Sequence, residues 1–73
     1  MTRNQKMAIE ILKMLDSKSS TEVGYYTGDD SVVFCNYKKP KIIDISSSTD
    51  DVEAQRLFDE IKSIIEELKA NAN

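Results

Sequence analysis

The side chains with most chemistry to offer are one thiol, two adjacent carboxylates, a serine-rich run, three clustered lysines and a set of tyrosines. Cys35 is the only cysteine, and the chain contains no histidine. A thiol becomes a nucleophile when a neighbouring base or cation holds it as thiolate, and no imidazole exists to do so. Cys35 therefore reads as a small hydrophobe. One thiol excludes an internal disulfide and, without histidine, leaves too few soft ligands for structural zinc. Asp29 and Asp30, even joined by Asp44, lack the ligand spacing of an EF-hand; beside Gly28 they read as turn chemistry. The run Ser46-Ser47-Ser48-Thr49 leads into Asp50, Asp51 and Glu53. A phosphate bound at that helix start would meet three carboxylates, so the run reads as helix capping. No metal and no cofactor is expected. With no glycine-rich phosphate loop and no nucleophile–base pair, the chain reads as non-enzymatic.

Two clusters remain. Lys38, Lys39 and Lys41 surround Pro40 and form the one basic cluster. They are candidates for nucleic-acid contact, or for a solubilising turn that blunts a sheet edge. Tyr26, Val33, Cys35, Tyr37 and Ile42 form the second cluster, a candidate protein interface, since tyrosine joins large contact area to one hydrogen-bonding group. What decides between these readings is the set of elements that carries them.

Residues 22–27, 31–37 and 41–46 have the composition of strands, separated by Gly28-Asp29-Asp30 and Lys38-Lys39-Pro40. The middle segment shows no polar/apolar alternation. Period 2 places Val32 and Phe34 on one face and Val33, Cys35 and Tyr37 on the other. If the turns set Val23 and Tyr25 opposite Phe34 and Val32, with Ile43 and Ile45 opposite the same pair, one face gathers six large side chains. The other gathers Gly24, Tyr26, Val33, Cys35, Tyr37, Ile42 and Asp44, unusually apolar for a face left to water.

Helices flank these strands. Over residues 3–16, Met7, Ala8, Ile11, Leu12, Met14 and Leu15 share a broad arc and Ile9 falls outside it. A polar linker, Ser17 to Ser20, follows. Over residues 51–69, Leu57, Phe58, Ile61, Ile64, Ile65 and Leu68 form a core-facing stripe. Its border carries Glu53, Glu60 and Glu67. Asp50 with Glu53 resembles a capping box, and Ala70 to Asn73 reads as a frayed end. The expected fold is α+β, one domain over residues 1–73, with order α-β-β-β-α: a three-stranded antiparallel meander with both helices on one face.

Seventy-three residues give a thin core, rarely worth more than ~3–5 kcal/mol, so oligomerisation or a partner is the expected stabiliser. Residues 1–45 carry seven basic and six acidic side chains, and residues 46–73 carry three and seven, making the formal charge of −3. That balance argues against a general phosphate-backbone binder. No apolar run approaches the ~20 residues of a membrane span, and the start lacks a secretory pattern, so no membrane association and a cytoplasmic setting are expected.

In element order and length the chain resembles the double-stranded-RNA-binding domain. That family's contacts include a basic cluster opening its second helix, where this sequence has Asp50-Asp51-Val52-Glu53. The charge is reversed, so none of the family's binding residues carries over. The functional expectation is a small cytosolic protein-binding module or inhibitor, of the kind made by phages and mobile elements, acting as a homodimer or on a protein partner. The alternative is a nucleic-acid-related role, either acidic mimicry or weak contact through Lys38, Lys39 and Lys41.

Overall fold

The first helix begins where side chains can replace missing backbone partners. In the computed structural model, which describes residues 1–15 and 20–71, α1 spans Arg3–Met14. Thr2 caps it: the Gln5 backbone N–H donates to Thr2 Oγ1 at 3.1 Å, and the Thr2 N–H donates to Gln5 Oε1 at 2.7 Å. This reciprocal box satisfies two orphan donors of the first turn. The helix stops at Met14 rather than at residue 16, because Leu15 is already extended, with ψ 147°. Of the expected linker, Ser17 to Ser20, all but Ser20 lies outside the described residues, as does the terminal pair 72–73.

Three strands follow, β1 (Thr21–Tyr26), β2 (Ser31–Asn36) and β3 (Lys41–Ile45), then α2 (Asp51–Ala70). They form an open antiparallel sheet in the order β1-β2-β3. The register is the expected one: Val23 pairs with Phe34 and Phe34 with Ile43, while Tyr25 pairs with Val32 and Val32 with Ile45. Each hairpin is closed by four residues, Thr27–Asp30 and Tyr37–Pro40. In the first turn the left-handed position falls on Asp30 (φ 47°), and Gly28 keeps an ordinary negative φ. Aspartate tolerates that region because its short carboxylate bonds locally. Tyr37, expected inside β2, is the first turn residue, although its N–H still donates to the Ser20 carbonyl at 2.9 Å.

Both helices cover the same sheet face. Val32, Phe34, Ile43 and Ile45 are buried together with Met7, Ala8 and Ile11 of α1 and Ala54, Ile61 and Ile65 of α2. On α1 the buried residues are Asn4, Met7, Ala8 and Ile11, the i, i+3, i+4, i+7 spacing of one helix face. Leu12 does not join them: it is 57% exposed. At 3.6 residues per turn it points about 90° away from the centre of that stripe, so the buried arc is narrower than its apolar composition. On α2 the stripe extends one turn further toward the N-terminus than expected, to Ala54, whose small side chain is fully buried. Only half of the expected capping box forms there. Asp50 Oδ1 accepts from the Glu53 N–H at 2.8 Å, but the Glu53 carboxylate turns to Arg56 instead of reaching back.

Candidate functional site

With both helices on one side, the opposite sheet face has no cover from the described elements. Its rows follow from the register: Glu22 beside Cys35 beside Ile42, and Gly24 beside Val33 beside Asp44. Tyr26 (57%), Tyr37 (62%) and Ile42 (72%) are exposed, whereas Val33 and Cys35, on the central strand, are half-buried. All five residues expected to form a protein interface therefore belong to this one face or its rim.

The tyrosines do not extend freely into water. The Tyr26 ring lies back along its own strand over Gly24, where a built-in Cβ would sit 3.5 Å from the ring, ordinary contact distance. A ring covering a glycine restores apolar contact that the missing side chain does not supply. Tyr37 donates from its hydroxyl to Glu22 Oε2 at 2.6 Å, and this carboxylate holds the phenol above its usual range. Both rings are held near the sheet, which lowers the entropy lost when a partner packs on them. Cys35, Tyr37, Pro40 and Ile42 also line a shallow depression of about 440 Å³ at the β2–β3 turn end of the face. The cysteine is thus part of an apolar surface.

The lysines sit on the turn that follows Tyr37. Asn36 organises it by accepting the Lys38 N–H at 3.1 Å. The three lysines do not act alike. Lys41 forms an ion pair with Glu60 of α2, whereas no ion pair among the described residues engages Lys38 or Lys39. The acidic border of α2 is partly neutralised too: Glu53 pairs with Arg56, Glu60 with Lys41, and Asp51 with Arg3 at 2.8 Å. Arg56 holds the Glu53 carboxyl below its ordinary value.

At the other end of the molecule lies a polar cluster that sequence reasoning missed. Arg3 donates from its guanidinium to the Thr49 carbonyl at 2.8 Å, the Ser46 carbonyl at 3.0 Å and Asn4 Oδ1 at 2.9 Å, besides Asp51. Asn4, 1% exposed, donates to the Asp30 carbonyl at 2.6 Å. The Asp30 carboxylate accepts from the Tyr25 hydroxyl at 2.5 Å and from Thr2 Oγ1 at 2.7 Å. These two hydroxyls, the tyrosine first, hold the Asp30 carboxyl below its ordinary value, and Asp30 in turn raises the Tyr25 phenol. Thr2 and Asn4 tie the start of α1 to Asp30 of the first hairpin, and Arg3 ties it to the β3–α2 loop and the first residue of α2, so the cluster is a joint between elements. A signal was present: Asn4 stands at the centre of the apolar arc of α1, where a polar residue needs a buried partner.

Among the described residues no group of three or more histidine, cysteine, aspartate or glutamate side chains is placed to hold a metal ion, and no helix is long and apolar enough to cross a membrane. No protein-family model, curated protein or solved structure matches the chain.

Proposed function

We propose that this chain is a small non-enzymatic protein-binding module that works through its uncovered sheet face, with a second copy as the simplest occupant. The observation that carries the reading is the contrast in cover. Val32, Phe34, Ile43 and Ile45 are at most 4% exposed, while Tyr26, Tyr37 and Ile42 on the opposite face are each more than half exposed.

Magnitude sets how strong self-association can be. Three strands ~4.8 Å apart and five or six residues long at ~3.3 Å each present roughly 250 Å² of flat area. Side-chain relief at most about doubles this, which leaves it under the ~800 Å² per partner of a stable interface. A back-to-back dimer is therefore weak. It also brings Glu22 and Asp44, the charged residues of this face, from both copies into one contact, and added salt screens that repulsion.

Nucleic-acid readings receive less support. Contact through Lys38, Lys39 and Lys41 would weaken with salt, and Lys41 is already drawn to Glu60. A phosphate-mimicking row on α2 would need free carboxylates, and of the border residues Glu53, Glu60 and Glu67 the first two are each paired with a cation.

Sedimentation over micromolar to millimolar concentration tests the proposal. The wild type should gain mass with concentration and with salt, and a Tyr26→Ser/Tyr37→Ser variant should stay monomeric. A wild type that is monomeric throughout, or a variant that associates equally well, would overturn it.

A further inference from the structure

On the opposite side of the β2–β3 turn from the tyrosine face, a groove of about 350 Å³ runs between that turn and the C-terminal half of α2. Its apolar lining comes from Pro40 of the turn and from Ile64 and Leu68 of α2; Lys38, Lys39 and Lys41 stand along its other wall. Ile64 and Leu68 are each only partly buried, so apolar surface remains inside the groove. In a chain of net charge −3, its one basic cluster is thus placed against an apolar strip.

We infer that this groove is a second docking site, distinct from the tyrosine face, and that its occupant is an extended peptide segment in which apolar residues alternate with aspartate or glutamate. Spacing and charge both point to that chemistry. Ile64 and Leu68 are four residues apart on a helix, which places them ~6 Å apart along the axis. Alternate side chains of an extended strand recur every ~6.6–6.8 Å, so two consecutive apolar side chains of the segment meet the two helix side chains. The residue between them points away from that floor, within reach of the lysine wall. Lys38 and Lys39 are without an ion pair among the described residues, which leaves their charge available to carboxylates of the guest. An oligonucleotide fits less well. Binders of single strands stack bases on aromatic rings, and here the floor is aliphatic, formed by Pro40, Ile64 and Leu68. Tyr37, the nearest ring in sequence, is bonded to Glu22 on the other face.

The probe is a short synthetic peptide alternating leucine and glutamate, titrated at low salt into the isotope-labelled full chain and followed by backbone amide shifts. Saturable changes should map to residues 38–41 and 64–68. Lys38→Glu/Lys39→Glu should weaken binding about tenfold, the equivalent of ~1.4 kcal/mol, with the amide spectrum otherwise unchanged. Leu68→Ser should weaken it through the apolar arm, and a leucine–lysine peptide should not bind. No saturable change up to millimolar peptide, changes confined to the Tyr26 and Ile42 side, or tighter binding of an oligonucleotide at the same residues would each overturn the inference. Because the Tyr26→Ser/Tyr37→Ser variant leaves the groove intact, the site fails or stands independently of self-association.

Discussion

The two faces of this sheet are built from the same three strands, yet they differ in every physical respect that matters for function. Each carries one tyrosine–carboxylate hydrogen bond. On the covered face Tyr25 donates to Asp30, which also accepts from Thr2, so the bond links α1, β1 and the first turn. On the bare face Tyr37 donates to Glu22, joining the second turn to its neighbouring strand and nothing beyond. The first bond belongs to the joints that hold helices on the sheet. The second only orients a side chain at a surface. The same pair of groups is a fold determinant in one place and a contact determinant in the other, and what separates them is whether a helix stands above.

The sharpest test of that contrast is truncation of adjacent residues of the central strand. Phe34 is 0% exposed in the core, and Phe34→Ala should cost about 3–5 kcal/mol from lost burial and the cavity left behind. A domain of this size holds roughly that much in total, so the variant should be largely unfolded by circular dichroism at room temperature. Val33→Ala, one residue away and facing the other side, should remain folded and lose under ~1.5 kcal/mol in urea melts. Equal losses at the two positions would mean that the bare face is covered in solution even at low concentration.

That alternation of fates was legible in the sequence of β2. Period 2 alone separates Val32 and Phe34 from Val33 and Cys35, and the observed register places Val23, Tyr25, Ile43 and Ile45 against the expected partners. The helices were legible as types and, for most of the expected stripe residues, as faces, with Leu12 the exception on α1. Leu12 counts as apolar in any arc, yet burial on α1 is set by which side chains reach the sheet, and the polar Asn4 takes a place that Leu12 does not. Most of the Arg3–Asn4–Asp30 joint was hidden because its partners across elements are 26 to 48 residues apart and three of the acceptors are backbone carbonyls, those of Asp30, Ser46 and Thr49. The candidate interface was readable as residue types on one face. Its being bare depends on both helices choosing the other side, which the register permits but does not dictate.

A second, smaller effect separates the two tyrosine–carboxylate bonds by pH. The Tyr25 and Thr2 hydroxyls stabilise the ionised Asp30 carboxylate, so its folded-state pKa lies below the unfolded value. A depressed acid contributes stability that is present above the unfolded pKa and is lost as pH falls through the folded one. The same hydrogen bond raises Tyr25; that contribution is present below the unfolded phenol value and is lost as pH rises through the folded one. Asp30→Asn should therefore flatten the acid limb of a stability–pH curve, measured by urea midpoints between about pH 2 and 6. Tyr37→Phe removes the other tyrosine–carboxylate bond without touching Asp30, so the acid limb that Asp30 contributes should persist. An acid limb equally altered by both would erase the distinction between joint and surface contact.

The smallest effect on the folded monomer, and the most specific to the bare face, should come from Ile42→Lys. Ile42 is 72% exposed, and substitutions at such positions usually shift stability within ~0.5 kcal/mol. In dilute solution the variant and wild type should melt together. Self-association adds a dependence that no monomer possesses: a partner that binds only the folded chain stabilises it by mass action, so the melting temperature rises with protein concentration. Wild-type melts should climb between micromolar and millimolar protein, and the climb should steepen with salt as Glu22 and Asp44 are screened. Ile42→Lys should melt at one temperature across that range, because it replaces exposed apolar area that a second copy would cover with an ammonium group that must shed water on contact. Val52→Lys, at an 83% exposed residue of α2, supplies the matched control: it adds the same charge elsewhere and should retain the wild-type concentration dependence. If both lysine variants lost that dependence, net charge would explain the result. Loss at Ile42 alone locates the contact on the sheet face that the helices leave uncovered.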